Sequence, residues 1–258
     1  MPEKIQRREP KRMIDAHTHF NLDTDDPALE YIEYITHAGI EAAVLILNGP
    51  EESHLFWNNV DSFLNGYPVH LAFILDIRNR EYFERNIALA KELGMAYSVK
   101  LHPRLTDITE NDFEAICGYI KNLDCRSVII DSFLYGSRKE NICYIELSSF
   151  LAKRLPDKQI VMAHFGGIKV LETMLRTREL KNIFYDCSFS VNFLYGTSAW
   201  ADLRHCIVHS QNRVVFGSDR PSFTIEESVR RVRELLGERS DTFYSDLFSN
   251  NARRLYFD

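Results

Sequence analysis

The sequence predicts an α/β fold, a (β/α)8 TIM barrel, on three observations. Short apolar runs recur eight times along the 258 residues, at intervals of roughly 30 residues, as expected for such a barrel. The runs are apolar throughout rather than alternating, which is typical of strands covered on both faces. Segments with helical spacing separate them.

The eight predicted strands follow one another at similar spacing. They read MIDAH from Met13, AAVLILN from Ala42, VHLAFIL from Val69, AYSVKLH from Ala96, SVIID from Ser127, QIVMAH from Gln159, NIFYD from Asn182 and RVVFGSD from Arg213. Their lengths are those of buried strands, and each is followed by a polar or helical segment.

The segments between the strands carry helix signals. In PALEYIEYITHAGI, Leu29, Ile32 and Ile35 fall at three-residue steps, as on the buried face of a helix, and Gly39 is the predicted stop. REYFERNIALAKELGM behaves in the same way. TIEESVRRVRELLGE opens with Thr224 as the predicted N-cap, followed by acidic residues in its first turn.

The main alternative fold is a doubly wound open sheet, which requires a glycine-rich phosphate loop after its first strand. The segment DAHTHFNLDTDD contains no glycine, which disfavours it. No Pro/Gly-rich linker divides the chain, so residues 13–258 are predicted to form a single barrel domain. Residues 1–12 mix basic and acidic side chains and are predicted to be a flexible N-terminal tail.

Composition and charge exclude several classes of protein. The formal net charge of −6 disfavours a nucleic-acid partner, which requires a concentrated basic face. No apolar run is long enough for a membrane helix, and no secretory signal pattern follows the first residues. The five cysteines are scattered and never form a CxxC pair, which predicts reduced thiols in a cytoplasmic protein.

Residue types that bind metals or transfer protons lie at the ends of most predicted strands. In a parallel barrel these ends share one mouth, where the chemistry takes place. Because residues i and i+2 share a face of a strand, His17 and His19 should both point into the mouth, with Asp15 one layer below. The whole set is His17, His19, Lys100, His102, Asp131, His164, Asp186 and Asp219.

The combination predicts a metal site that no single residue would predict. A lone histidine is usually a hydrogen-bonded structural residue, and an aspartate after a strand is usually a cap or turn residue. Together, the imidazoles of His17, His19 and His164 and the carboxylate of Asp219 form the donor set of a zinc-type site. Three or four such ligands with one open position make a catalytic centre.

Several motifs resemble those of the amidohydrolase superfamily, in its amidohydrolase-related branch of metal-dependent hydrolases and nonoxidative decarboxylases. They are DAHTHF on strand one, VKLHP (99–103) on strand four, VMAHFGG (161–167) on strand six and VVFGSDRP (214–221) on strand eight. NNARRLY (250–256) is similar to the family's terminal helix. The matches follow the family's order over almost the whole chain, and the HxH and GSDxP segments are specific together.

The resemblance implies a distorted barrel with a divalent metal in its mouth, zinc first, with manganese or another transition metal as alternatives. His17 and His19 would bind the metal, and Asp219 would bind it and take a proton from the attacking water. His164 would be a second base, polarise the substrate or add a ligand. Arg220 could contact a substrate carboxylate or lie at the surface. A homodimer is compatible with the family.

One position departs from the family pattern, which usually has a histidine ligand at the end of strand five. Asp131 stands there, and either replaces it as an oxygen ligand or marks a metal-free, noncatalytic barrel. Lys100 is assigned to substrate binding, although some superfamily members carboxylate a lysine on strand four to bridge two metals. His102 is likewise assigned to substrate binding, with a ligand or a strand-end hydrogen-bond partner as alternatives.

The predicted activity is metal-assisted hydrolysis of an amide, ester or lactone in a small molecule. The metal activates water, Asp219 moves the proton and His164 stabilises the oxyanion. Nonoxidative decarboxylation of a small aromatic carboxylic acid on the same site is the alternative. Aromatic residues in SFLYG (132–136), FSVNFLYG (189–196) and RPSF (220–223) either line a partly apolar pocket or pack the core.

Overall fold

Eight parallel strands form the barrel that the sequence predicts. The computed structural model describes residues 13–64, 68–134 and 143–258. Each strand pairs with the next one along the chain, and the order never reverses, which excludes the doubly wound alternative. The strands are β1 (Met13–Thr18), β2 (Ile40–Leu47), β3 (Val69–Ile74), β4 (Tyr97–Leu101), β5 (Ser127–Asp131), β6 (Gln159–Ala163), β7 (Ile183–Asp186) and β8 (Val214–Val215).

Helices fill the connections and pack on the outside of the strands. The predicted tail over residues 1–12 lies outside the described residues. The α-helices are α1 (Pro27–His37), α2 (Pro50–Asn58), α3 (Val60–Leu64), α4 (Glu81–Glu92), α5 (Phe113–Lys121), α6 (Tyr144–Arg154), α7 (Val170–Thr177), α8 (Ser190–Phe193), α9 (Ser198–His209), α10 (Ile225–Leu236) and α11 (Asp241–Ser245).

Backbone hydrogen bonds join β1 to the segment that follows β8. Ala16 N donates to Phe216 O over 2.9 Å, Asp219 N to His17 O over 2.9 Å, and His19 N to Arg220 O over 3.0 Å. The first and last parts of the barrel are therefore in direct contact, and this seam brings the HxH motif beside the GSD motif.

The helix signals are mostly confirmed. Thr224 caps α10, because its side chain accepts a hydrogen bond from Glu227 N, and Gly39 follows the end of α1 with a φ of 65°. The apolar face expected for α1 was wrong in one residue. Leu29 is 52% exposed, whereas Tyr31 and Ile35 are buried against the barrel.

The register of β1 breaks the simple alternation expected of a strand. Its pairing with β2 is irregular between Asp15 and Thr18. Ile14 and Ala16 pack in the barrel interior, while Asp15 accepts a hydrogen bond from Tyr34 Oη of α1 at 2.6 Å. The expectation that Asp15 points inward was therefore wrong, because the irregularity separates its orientation from that of His17.

The barrel interior is filled by small and branched side chains. Val44, Ile46, Ala72 and Val161 belong to this inner cluster, and Tyr256 of the helical segment Arg253–Phe257 packs into it. Tyr256 also contacts the ring of His70 near the start of β3, so the chain's last segment covers the N-terminal end of the barrel. In the described residues, no helix is long and apolar enough to span a membrane.

Candidate active site

A cavity of about 350 Å³ opens at the C-terminal ends of the strands. Of the eight strand-end residues named from the sequence, Asp186 does not line it and the other seven do: His17, His19, Lys100, His102, Asp131, His164 and Asp219. Arg220 is not among the lining residues. The remaining lining residues are Asn48, Arg104, Leu105, Phe133, Phe189 and Ser222.

Three potential metal ligands come together from the first and last strands. One ligand atom each from His17, His19 and Asp219 lies within 4.8 Å of the others, and we call this set the His–Asp cluster. His17 Nε2 is 3.3 Å from Asp219 Oδ1, and the rings of His17 and His19 are 5.3 Å apart. This spacing suits a single metal ion held by three protein ligands.

A buried carboxylate behind His17 fixes the orientation of its ring. His17 Nδ1 lies 2.5 Å from Asp186 Oδ2, and Asp186 also accepts hydrogen bonds from Ser188 N at 2.7 Å and Ser188 Oγ at 2.8 Å. Burial holds the pKa of His17 well below its usual value, so the ring is a neutral imidazole. Its Nε2 lone pair therefore faces Asp219.

A backbone carbonyl of β2 fixes the orientation of the His19 ring. His19 Nδ1 donates to Ile46 O over 3.1 Å, and Glu52 Oε1 lies 3.8 Å from the same nitrogen. Burial also lowers the pKa of His19 far below its usual value. With Nδ1 engaged, Nε2 is the nitrogen of His19 that remains for a ligand.

Gly217 allows the close approach that brings Asp219 to His17. A Cβ at this position would lie 2.7 Å from His17 Cβ, closer than side chains normally pack, so only glycine fits. Asp219 itself has a φ of 60°, a conformation that costs energy for a residue with a side chain. Burial raises the pKa of Asp219 to about 6.

Asp131, also in the cavity lining, lies between two imidazoles. Its Oδ2 is 3.3 Å from His164 Nε2 and 3.5 Å from His102 Nε2. His164 Nδ1 is 3.1 Å from Ser188 O, and its Nε2 is 3.8 Å from Asp219 Oδ1. Asp131 is thus in contact with His102 and His164 rather than with the His–Asp cluster.

The charges around His164 and Asp131 favour an ion pair. Burial alone would lower the pKa of His164, but the carboxylates of Asp219 and Asp131 outweigh it and raise that pKa to about 9. Burial alone would raise the pKa of Asp131, yet His102, His164 and Lys100 hold it far below its usual range. In the metal-free protein His164 is therefore protonated at neutral pH, and Asp131 is ionised.

Arg220 is placed away from the cavity. Its Nη2 donates to both carboxylate oxygens of Glu30 on α1, its Nη1 donates to His19 O over 3.1 Å, and its guanidinium stacks 4.2 Å from the centre of the Tyr34 ring. The side chain is buried and these donors are engaged. This arrangement favours a role in holding α1 against β1 over the predicted contact with a substrate carboxylate.

The comparison that decides the family covers most of the chain. The family model described as amidohydrolase matches residues 75–257. The chain belongs to the amidohydrolase family. None of the curated proteins compared by sequence matches it significantly.

Solved structures share the fold of this amidohydrolase at low sequence identity. An uncharacterised TIM-barrel protein from Bordetella bronchiseptica is 15% identical with a TM-score of 0.69, covering 95% of this chain and 98% of its own. A probable 2-pyrone-4,6-dicarboxylic acid hydrolase from Acinetobacter baumannii, with citric acid bound, has 15% identity and a TM-score of 0.65 over 94% and 98%. An amidohydrolase from Burkholderia multivorans with bound zinc has 15% and 0.65 over 95% and 98%.

Sequence reasoning about this amidohydrolase missed several residues of the site. Asn48 directly follows β2, just as His102 follows β4, so the rule that site residues lie at strand ends could have included it. Asp186 was visible as a strand-end carboxylate, but its role behind His17 depends on a contact across the barrel. Of the aromatic segments, Phe133 and Phe189 line the cavity, and their rings lie 4.8 Å apart.

Proposed function

We propose that this amidohydrolase is a metal-dependent hydrolase that cleaves an amide, ester or lactone bond in a small molecule. The observation that carries the proposal is the His–Asp cluster at the wall of the mouth cavity, with Nδ1 of both histidines engaged by acceptors of the protein. Histidines held in this way present Nε2 in a fixed direction, which is how metal-binding histidines are usually supported.

The donor set fits a divalent metal, with zinc as the first choice. Two neutral imidazole nitrogens, from His17 and His19, and one carboxylate oxygen, from Asp219, match the three-ligand pattern of catalytic zinc sites. A divalent cation bound there supplies a Lewis acid that activates water and polarises a carbonyl group. Asp131 contacts His102 and His164 and is proposed to act without binding the metal.

The protein's own groups then move protons and hold charge. Asp219 accepts a proton from the attacking water and passes it to the leaving group. His164 Nε2, held by Ser188 through Nδ1, donates a hydrogen bond to the oxyanion that develops on the substrate. Asp131 Oδ2, 3.3 Å from His164 Nε2, helps to orient the ring.

The proposal is tested by metal analysis and hydrolysis on the same preparations. Protein purified without chelators and reloaded with Zn²⁺ or Mn²⁺ should hold about one metal per chain and hydrolyse members of a panel of small esters, lactones and amides. A His17→Ala/Asp219→Asn double variant should lose both properties. His205→Ala, a change in an exposed histidine of α9, should lose neither.

Two results would overturn the assignment. One is a double variant that keeps full metal content and full activity. The other is a wild-type protein that takes up less than about 0.1 metal per chain after reloading, far below the single equivalent of a catalytic site. If the metal-loaded protein releases carbon dioxide from small aromatic carboxylic acids while leaving the panel intact, the same site performs nonoxidative decarboxylation instead.

A further inference from the structure

Lys100 is a buried amine that the proposed hydrolysis does not require. It lies in β4, its side chain is 1% exposed, and it lines the mouth cavity. Within the three described stretches of the chain, its Nζ has no hydrogen-bond or ion-pair partner. Buried lysines are normally paired, because an isolated ammonium loses its hydration without compensation.

The carboxylates nearest to Lys100 are already engaged by other groups. Asp131 contacts His102 and His164, while Asp186 contacts His17 and Ser188. Burial lowers the pKa of Lys100, and the carboxylates of Asp131, Asp186 and Asp219 oppose this effect without cancelling it. A cation in the His–Asp cluster would disfavour the ammonium further. Burial without a paired carboxylate thus disfavours the charged ammonium of Lys100 at the wall of the cavity.

We propose that Lys100 Nζ is a nucleophile that condenses with the carbonyl group of a small ketone, aldehyde or β-keto acid to form an imine. A lysine desolvated in an enclosed site beside other cationic groups is the usual form of an amine nucleophile. The barrel mouth then carries a covalent activity in addition to hydrolysis. This activity needs no metal and does not depend on the proposed hydrolytic function.

The reaction balances with groups that are present in the cavity. The amine of Lys100 forms a C–N bond to the carbonyl carbon, and the carbonyl oxygen leaves as water after taking up two protons. With a β-keto acid, the C–C bond to the carboxylate then breaks, carbon dioxide leaves, and the electron pair moves into the protonated imine to give an enamine. Protonation of carbon and addition of water release the ketone and restore the amine.

Proton donors and acceptors for these steps lie close to Lys100. His102 is two residues further along the chain and lines the same cavity, and its Nε2 contacts Asp131 at 3.5 Å. No partner is found for His102 Nδ1 among the described residues, although this atom is buried. Phe133 and Phe189 form an apolar wall that limits access of water to an imine.

Reductive trapping tests the proposal directly. Metal-free and zinc-loaded proteins are incubated with acetone or acetoacetate and sodium cyanoborohydride, and peptides are analysed by mass spectrometry. Lys100 should carry the isopropyl group of the reduced acetone imine at least about tenfold more than the exposed Lys91 and Lys153. Carbon dioxide release from acetoacetate should fall to the background rate in Lys100→Met and in Lys100→Arg.

Labelling of Lys100 at or below the level of Lys91 and Lys153 would overturn the proposal. So would acetoacetate decarboxylation that continues unchanged in both variants. Circular dichroism verifies the fold of each variant, and the wild-type labelling result stands even if a variant does not fold. Because the readout is peptide mass, a failure to hydrolyse esters contradicts the proposed function and leaves this result unaffected.

Discussion

Asp186 determines which nitrogen of His17 faces the cavity. Its Oδ2 lies 2.5 Å from His17 Nδ1, and both side chains are buried, so the contact holds the ring in one orientation and one tautomer. The two residues come from β1 and β7, and only the closed barrel brings them together. The sequence showed Asp186 as a residue at a strand end, but it did not show which histidine it supports.

Asp186→Asn should weaken zinc binding by about 10- to 100-fold, as expected when the partner behind a ligating histidine is removed. The amide can present either an acceptor or a donor to Nδ1, and it lacks the charge that strengthens the histidine as a ligand. Competition with a chelator of known affinity measures the effect. Asp202→Asn, in an exposed residue of α9, is the matched control, and equal affinities in both variants would refute the role assigned to Asp186.

Asp131→Asn should show whether metal binding depends on Asp131 or only on the His–Asp cluster. Asp131 lies beside His102 and His164 and is not part of the His–Asp cluster, so saturating zinc should still load about one metal per chain. Asp219→Asn removes a proposed ligand and should bind zinc at least about tenfold more weakly than Asp131→Asn. Isothermal titration with Zn²⁺ ranks the two variants, and the reverse order would make Asp131 a ligand.

At the scale of the elements, the contact between α1 and the seam stabilises the half of the site that β1 provides. Arg220 donates to Glu30 on α1 and to His19 O, and its guanidinium lies over the Tyr31 and Tyr34 rings. An arginine after GSD suggests a substrate anchor when it is read as sequence alone. The structure gives Arg220 a different position from the one that the sequence suggests, because α1 places a carboxylate and two aromatic rings where the guanidinium reaches.

Arg220→Met should lower the free energy of unfolding by about 1.5 to 2 kcal/mol, because it removes a buried guanidinium that bonds to His19 O and to the Glu30 carboxylate, whose side chain is 34% exposed. Urea denaturation of the metal-free protein measures the change. Arg230→Met removes exposed ion pairs with Glu227 and Glu234 on α10 and should change stability by no more than about 0.5 kcal/mol. Equal effects in the two variants would contradict a special role for Arg220.

The strand pattern was predictable because each β-strand is covered on both faces. SVIID was located to the residue as β5, and RVVFGSD was predicted to be longer than β8, which spans only Val214–Val215. The orientation of Asp15 and the burial of α1 were not predictable in the same way. The irregular register of β1 and the packing of Tyr31 and Ile35 depend on neighbours that are distant in sequence.

For the whole molecule, pH dependence follows from the charges that the barrel buries. Burial would lower the pKa of His164, but Asp219 and Asp131 raise it to about 9, above the ordinary value of 6.5. The resulting stabilisation is complete below the unfolded pKa of 6.5 and is lost as the pH rises through about 9, because the unfolded chain releases this proton first.

The melting temperature of the metal-free protein should therefore fall between pH 7 and pH 9. Glu52, whose pKa burial raises to about 7, contributes a loss that is largely complete at the start of this range. Asp131→Asn removes one of the charges that raise the pKa of His164 and should flatten the decline. Differential scanning calorimetry at several pH values measures both profiles, and a wild-type profile that is flat over this range would contradict the charge assignment.

The fold class and the residues of the mouth were predictable because strand ends in a parallel barrel converge on one place. The role of each residue in the mouth was less predictable. His102 and Asp131 illustrate this, because they lie at the ends of different strands and their contact is known only from the folded structure. The glycine of GSD was readable as part of a motif. The close approach of Gly217 to His17 Cβ, which explains why a glycine is needed, is visible only in the three-dimensional structure.

The seam between β1 and the residues after β8 has a consequence for biosynthesis. A ribosome releases His17 and His19 early and Asp219 only after seven further strands have been made. The two histidines are therefore synthesised well before the barrel that positions them, and Asp219, the third proposed ligand, follows the last strand. If zinc binds as proposed, its uptake by a nascent chain marks the completion of folding, because the three proposed ligands come together only when the two ends of the barrel meet.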